Sequence, residues 1–174
     1  VEARTEEESV EEVKEGFEPN GLKTLSNVEE LVNEFTTFSN YEYGEDDEKN
    51  AEYLLGEKLD VFHQITGSAY KIVVAERNYY EVSAGIYVAG AAELRYAEMW
   101  KRYPTPETLD ADPDKNENAK VVFGERVRDT VKDLGVEGRD KLERLISHYY
   151  RSGISGEYTE AALQELKWRF PLDY

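Results

Sequence analysis

In a chain whose formal net charge is −17, the stretch from Val82 to Ala92, "VSAGIYVAGAA", carries no charge at all. Glu81 and Glu93 bracket it, leaving far fewer than the roughly 20 apolar residues needed to cross a bilayer, so its partner must be protein and not membrane. Read as a helix, it places Tyr80, Ala84, Tyr87, Ala91 and Leu94 on one stripe and Val82, Ile86, Ala89 and Trp100 on a second, which predicts burial of both faces. Gly85, Ala89 and Gly90 lack bulk and would let a neighbouring helix approach closely, at some cost in helix propensity. That neighbour is either another helix of the same domain or, in addition, a second subunit.

The chain has 174 residues, of which 40% are hydrophobic, enough for one core. Its 38 acidic residues against 21 basic ones repel phosphate backbones, which disfavours nucleic-acid binding driven by counterion release. The same acidity would suit hydration in high salt, although Lys is not depleted and Glu greatly outnumbers Asp. With no cysteine, the chain can form no disulfide framework, thiolate nucleophile or cysteine zinc site. The opening "VEARTEEESVEEVKEGFEPNG" has neither the basic nor the apolar region of a secretory signal, and residues 1–20 read as an acidic tail.

Residues 21–174 read as a single helical domain. A first helix is predicted from Ser26, paired with Glu29 in a capping box, with Val28, Leu31, Val32 and Phe35 at helical spacing. A second starts near Asp46 or Asp47, carries Ala51, Leu55, Leu59, Phe62 and Ile65, and stops at Gly67. In "SAYKIVVAE" the alternation of Tyr70, Ile72 and Val74 favours a short extended segment over 70–75, with continuous helix as the alternative. Asn78 and Glu81 open the long central helix, which Pro104 would end. Residues 105–116 read as an acidic internal loop. A helix stopping at Gly135, another stopping near Gly153, and a last one capped by Thr159 and halted by Pro171 complete an all-α bundle of five to six helices.

Little in the sequence points to chemistry. His63 and His148 have no HExxH spacing, and the acidic pairs are too numerous to single out an acid and a base. Asp110, Asp112, Asp114 and Asn116 imitate the odd-numbered ligands of a calcium loop. Lys115 then stands where the turn glycine belongs, and Val121 where the closing glutamate belongs. Phosphate-cradling glycine loops and nucleophile elbows are absent, so the reading is a non-enzyme without cofactor. The end of the chain, "KWRFPLDY", is unusual for a terminus in being apolar. Trp168 and Phe170 cannot share a helix face, and together with Arg169, Leu172 and Tyr174 they form a candidate interface, as do Gly85, Ala89 and Gly90.

A helix ending in "FHQITGSAY", a short link, and a small-residue-rich helix ending in "LRYAEMWKR" together resemble the head–tail connector (neck adaptor) proteins of tailed bacterial and archaeal viruses. The resemblance covers about residues 26–102 and rests on Thr66, Gly67 and Tyr70, which match a Thr-Gly pair followed by an aromatic. It implies a structural virion protein, assembled in the host cytoplasm as a homo-oligomeric ring. The ring would contact portal and tail proteins while DNA passes through without specific binding. Residues 105–174 add helices beyond the compact members of that family, and residues 1–20 have no counterpart in it. The alternative from composition alone is an acidic helical binding or regulatory module in the cytoplasm.

Overall fold

The computed structural model describes residues 27–40, 56–75, 78–102, 113–149 and 152–174, and these form five helices: α1 (Val28–Ser39), α2 (Glu57–Ala75), α3 (Tyr79–Lys101), α4 (Pro113–Tyr149) and α5 (Glu157–Arg169). The all-α expectation holds, with five helices among the described residues. α3 packs against each of the other four, while α1 pairs with α2 and α4 with α5.

Local chemistry sets the helix starts. Asn27 caps α1, its Oδ1 accepting from the Glu30 N–H at 2.9 Å, so the cap is Asn27 in place of the expected Ser26, which lies outside the described residues. Asn78 caps α3 as predicted, accepting from the Tyr80 N–H at 2.8 Å. α5 starts earlier than expected, at Glu157, with Gly156 at the cap position. Thr159 lies within the first turn, where its Oγ1 donates to the Gly156 carbonyl and accepts from the Gly156 N–H. This fully buried hydroxyl also lies 3.1 Å from the Tyr79 hydroxyl, tying α5 to α3.

The main core joins α1, α2 and α3. Leu31 and Phe38 meet Phe62, Ile65, Ala69 and Ile72 on one side and Val88, Ala92, Tyr96 and Met99 on the other. The Phe62 and Tyr96 rings stack at 4.6 Å. A second cluster places Leu94 among Leu142, Leu145, Ala162 and Leu166, and a third joins Val28, Ala84 and Tyr158. Both faces of α3 are therefore buried, as its composition requires, and the partners are helices of the same chain. The face on the main core is Val88, Ala92, Tyr96 and Met99, a stripe between the two expected ones.

Several boundaries differ from the sequence reading. Residues 70–75 are helical rather than extended, and Gly67 lies inside α2 rather than at its end. Ile65, Ala69 and Ile72 recur at helical spacing and are almost wholly buried, whereas two members of the apparent alternation, Tyr70 and Val74, face outward. Packing against α3 thus outweighs the strand preference of β-branched residues. The predicted break at Gly135 is also absent, because α4 runs unbroken for 37 residues. Gly135 costs about 1 kcal/mol of helix propensity, and the contacts of Gly138, Leu142 and Leu145 with α3 and α5 hold the helix through it. Pro113 opens α4, a position suited to proline, so the expected loop over 105–116 ends before residue 113 and its remainder lies outside the described residues. The chain turns after α4 near Gly153, at a φ of 74°.

Candidate interaction site

α3 and α4 are antiparallel: Tyr79 at the start of α3 meets Tyr149 at the end of α4 edge-on at 4.7 Å, and Gly90 faces Gly138 farther along, with Lys141 Nζ reaching across to Glu93. Toward the C-terminal end of α3, Ala97 and Lys101 share a cleft with Val131 and Gly135. The part of α4 before Val131 continues past the end of α3, and from Pro113 to Val131 it measures about 27 Å at 1.5 Å per residue. On this projecting half Val121 and Val122 are about half exposed, while Phe123 packs partly against the main core. A shallow groove of about 380 Å³ lies between Ala119, Val122, Phe123 and Arg126.

The outer face of α2 carries His63, Gly67, Tyr70 and Val74 at helical spacing, all exposed, and runs from the level of Tyr96 to the start of α3. Tyr70 is 70% and Val74 66% exposed, and a Cβ on Gly67 would meet nothing within 4 Å. Thr66 is turned to its own helix, its Oγ1 donating to the Phe62 carbonyl at 2.9 Å. The last turn of α2 lies beside Gly85, close to the start of α3: a Cβ there would come 2.7 Å from Val73 Cγ2. The Tyr70–Val74 face and the Val121–Val122 face therefore occupy opposite ends of the molecule.

The C-terminal segment divides. Phe170 lies under the Arg139 guanidinium at 4.6 Å, Asp173 pairs with Arg139 at 2.9 Å, and the Tyr174 hydroxyl donates to the Glu143 carboxylate. Hydrogen bonds from Tyr174 and Arg139 pull the Glu143 carboxyl below its ordinary pKa. Arg169 is largely buried, bonding Glu98 and Glu165 at 2.8 Å each. Trp168 and Leu172 instead face outward, at 68% and 98% exposure. Trp168 and Phe170, two residues apart, thus take different surroundings, as their spacing requires. Beside it the cleft between α3, α4 and α5 encloses about 510 Å³, floored by Leu94, Ala97, Val131 and Val136 and edged by Lys101 and Lys132.

Of the two neighbours left open for the small-residue positions, the structure supplies helices of the same chain. Gly85 is buried against Val73 and the Ala69 carbonyl, Gly90 against Gly138 and Leu142, and Ala89 packs on the main core. Close approach is what these residues provide, but to helices of their own chain. Val74, Val121 and Val122 were not singled out as surface positions from sequence; the signal available was the 67–70–74 spacing, which the strand reading hid. His63 and His148 are both exposed, and among the described residues no group of side chains has the makings of a metal site. No described helix is long and apolar enough to cross a membrane.

Compared with known proteins, the chain matches no family model, no curated protein and no solved structure.

Proposed function

We propose that this chain is a non-catalytic structural subunit that assembles head-to-tail into a ring, in the role of a head–tail connector between portal and tail of a virion. The observation that carries the reading is the placement of two unlike exposed apolar faces, Tyr70–Val74 on α2 and Val121–Val122 on α4, at opposite ends of one bundle. Contacts between unlike faces are heterologous, and they propagate until they close into a ring or run on as a filament. A second copy is the occupant that such a pair calls for. Support also comes from the residues behind the resemblance to connector proteins: Gly67 and Tyr70 lie on the surface, where the fold itself makes little use of them. A surface this acidic suits a channel wall along which DNA slides without being held.

Negative-stain electron microscopy and multi-angle light scattering on the full chain test this reading. Closed rings with a central hole wide enough for duplex DNA, which co-sediment with a portal ring, are expected. A protein that stays monomeric from low to molar salt and leaves the portal unbound would contradict it, and would return the chain to the acidic binding-module alternative.

A further inference from the structure

The cleft between α3, α4 and α5 departs from the charge of the molecule around it. On a chain of net charge −17, its lining carries Lys101, Lys132, Arg139 and Arg169 against a single carboxylate, Glu98. Arg139 and Arg169 are engaged by carboxylates, as described above. Lys101 and Lys132 are exposed and form no ion pair among the described residues. Beneath these cations the floor is apolar, and Val136 and Trp168 remain more than half exposed. A fitting occupant combines negative charge with a few apolar anchors.

We propose that the occupant is the chain's own acidic segment, residues 1–20, docked on the same molecule. That segment has eight glutamates against Arg4 and Lys14, and its Val10, Val13 and Phe17 are spaced to share one helical face. Its charge opposes that of the cleft edge, and its apolar residues match the floor. Reach is sufficient. Val28, where α1 begins, packs beside Ala84 and Tyr158. From Ala84 to Ala97 α3 advances about 20 Å, while residues 18–27 can span about 33 Å when extended. Phe17 can therefore enter the cleft while Val28 keeps its place. A tether this short gives the segment an effective concentration on the order of millimolar. At micromolar protein that outcompetes the same segment of another copy, whose body carries a further −17.

The absence of cysteine from these 174 residues permits a direct test by disulfide trapping in the whole chain. Phe17→Cys is combined with Val136→Cys on the cleft floor or, as a control, with Gln164→Cys on the exposed side of α5. Both pairs are placed in a Tyr70→Glu background, which disables the proposed ring face so that the cleft is read independently of assembly. Circular dichroism melting of each variant confirms an intact fold. Oxidation should close the 17–136 bond within single chains at least tenfold faster than the 17–164 bond. Adding Lys101→Glu and Lys132→Glu should remove that preference, and reversing the segment's charge with Glu11→Lys and Glu12→Lys should restore it. Equal rates for the two pairs, or disulfide-linked dimers in place of intrachain bonds, would overturn the proposal.

Discussion

Gly90 and Gly138 meet backbone to backbone where α3 crosses α4: a Cβ on Gly90 would lie 2.9 Å from the Gly138 carbonyl oxygen, and one on Gly138 2.7 Å from the Gly90 carbonyl oxygen. Neither carbonyl can move without disturbing its helix, so the two helices would have to separate. Gly138→Ala should therefore lower stability by about 1–3 kcal/mol, the usual cost of overpacking. Gly135→Ala, one turn away in the same helix with nothing within 4 Å of its Cβ, should raise it by up to about 1 kcal/mol through helix propensity. Urea denaturation of the two variants checks this; stabilisation by both would show that the crossing is not tight.

Next to that crossing, Glu93 is buried and Lys141 Nζ reaches both of its carboxylate oxygens, at 2.7 and 2.9 Å. Burial, with a smaller push from the Glu137 charge, holds the Glu93 pKa above its ordinary value despite the Lys141 hydrogen bond and charge. A carboxyl whose folded-state pKa lies above its unfolded value favours folding when protonated, and this contribution is lost as pH rises through the folded pKa. Lys141→Met should leave Glu93 without its counter-charge and destabilise the protein by about 1–3 kcal/mol at neutral pH. The lower end fits Lys141 better, since its amine is partly in water. The deficit should shrink as pH falls toward the raised Glu93 pKa, and a Lys141→Met deficit independent of pH would contradict this account.

Burial pushes the phenols of Tyr87 and Tyr96 up to about 12. The unfolded chain ionises its tyrosines near 10, so the folded state holds these protons longer and its stability falls as pH rises from about 10 to 12. In an alkaline titration the last phenolate absorbance should appear together with loss of the helical circular dichroism signal. Complete tyrosine ionisation with that signal intact would place these rings in solvent.

Assembly should respond to salt. Bringing subunits of charge −17 into a ring sets like charges against one another, and screening shortens from about 8 Å at physiological ionic strength to about 3 Å at 1 M. Raising salt should therefore shift sedimentation toward the larger species, whereas dissolution of the ring by salt would point to attractive ion pairs at the seam.

The helical class, the caps of α1 and α3 to within one residue, and the two-sided burial of α3 were legible because each rests on local pattern. The fate of Gly67, Gly135 and Tyr70 was not. Glycine reads as a helix stop, and β-branched alternation reads as a strand, until tertiary contacts outweigh them, as Ile65, Ala69 and Ile72 do in α2. The small residues illustrate the same limit: sequence shows that something approaches Gly90 closely, but only the fold identifies Gly138 as the partner. At the terminus, spacing separated Trp168 from Phe170. It could not show that Arg139, thirty-one residues before Phe170, would cover that ring.

The central claim, head-to-tail assembly through two unlike faces, is tested most directly by mixing two assembly-deficient variants. One carries Tyr70→Glu and Val74→Glu on α2, the other Val121→Glu and Val122→Glu on α4. All four side chains are about half or more exposed, so both variants should fold with wild-type melting temperatures. Each alone retains one working face and should be monomeric by native mass spectrometry. Mixed, the intact face of one can meet the intact face of the other once and no further, which predicts a one-to-one heterodimer that never grows. Monomers only in the mixture, or rings formed by either variant alone, would contradict the account.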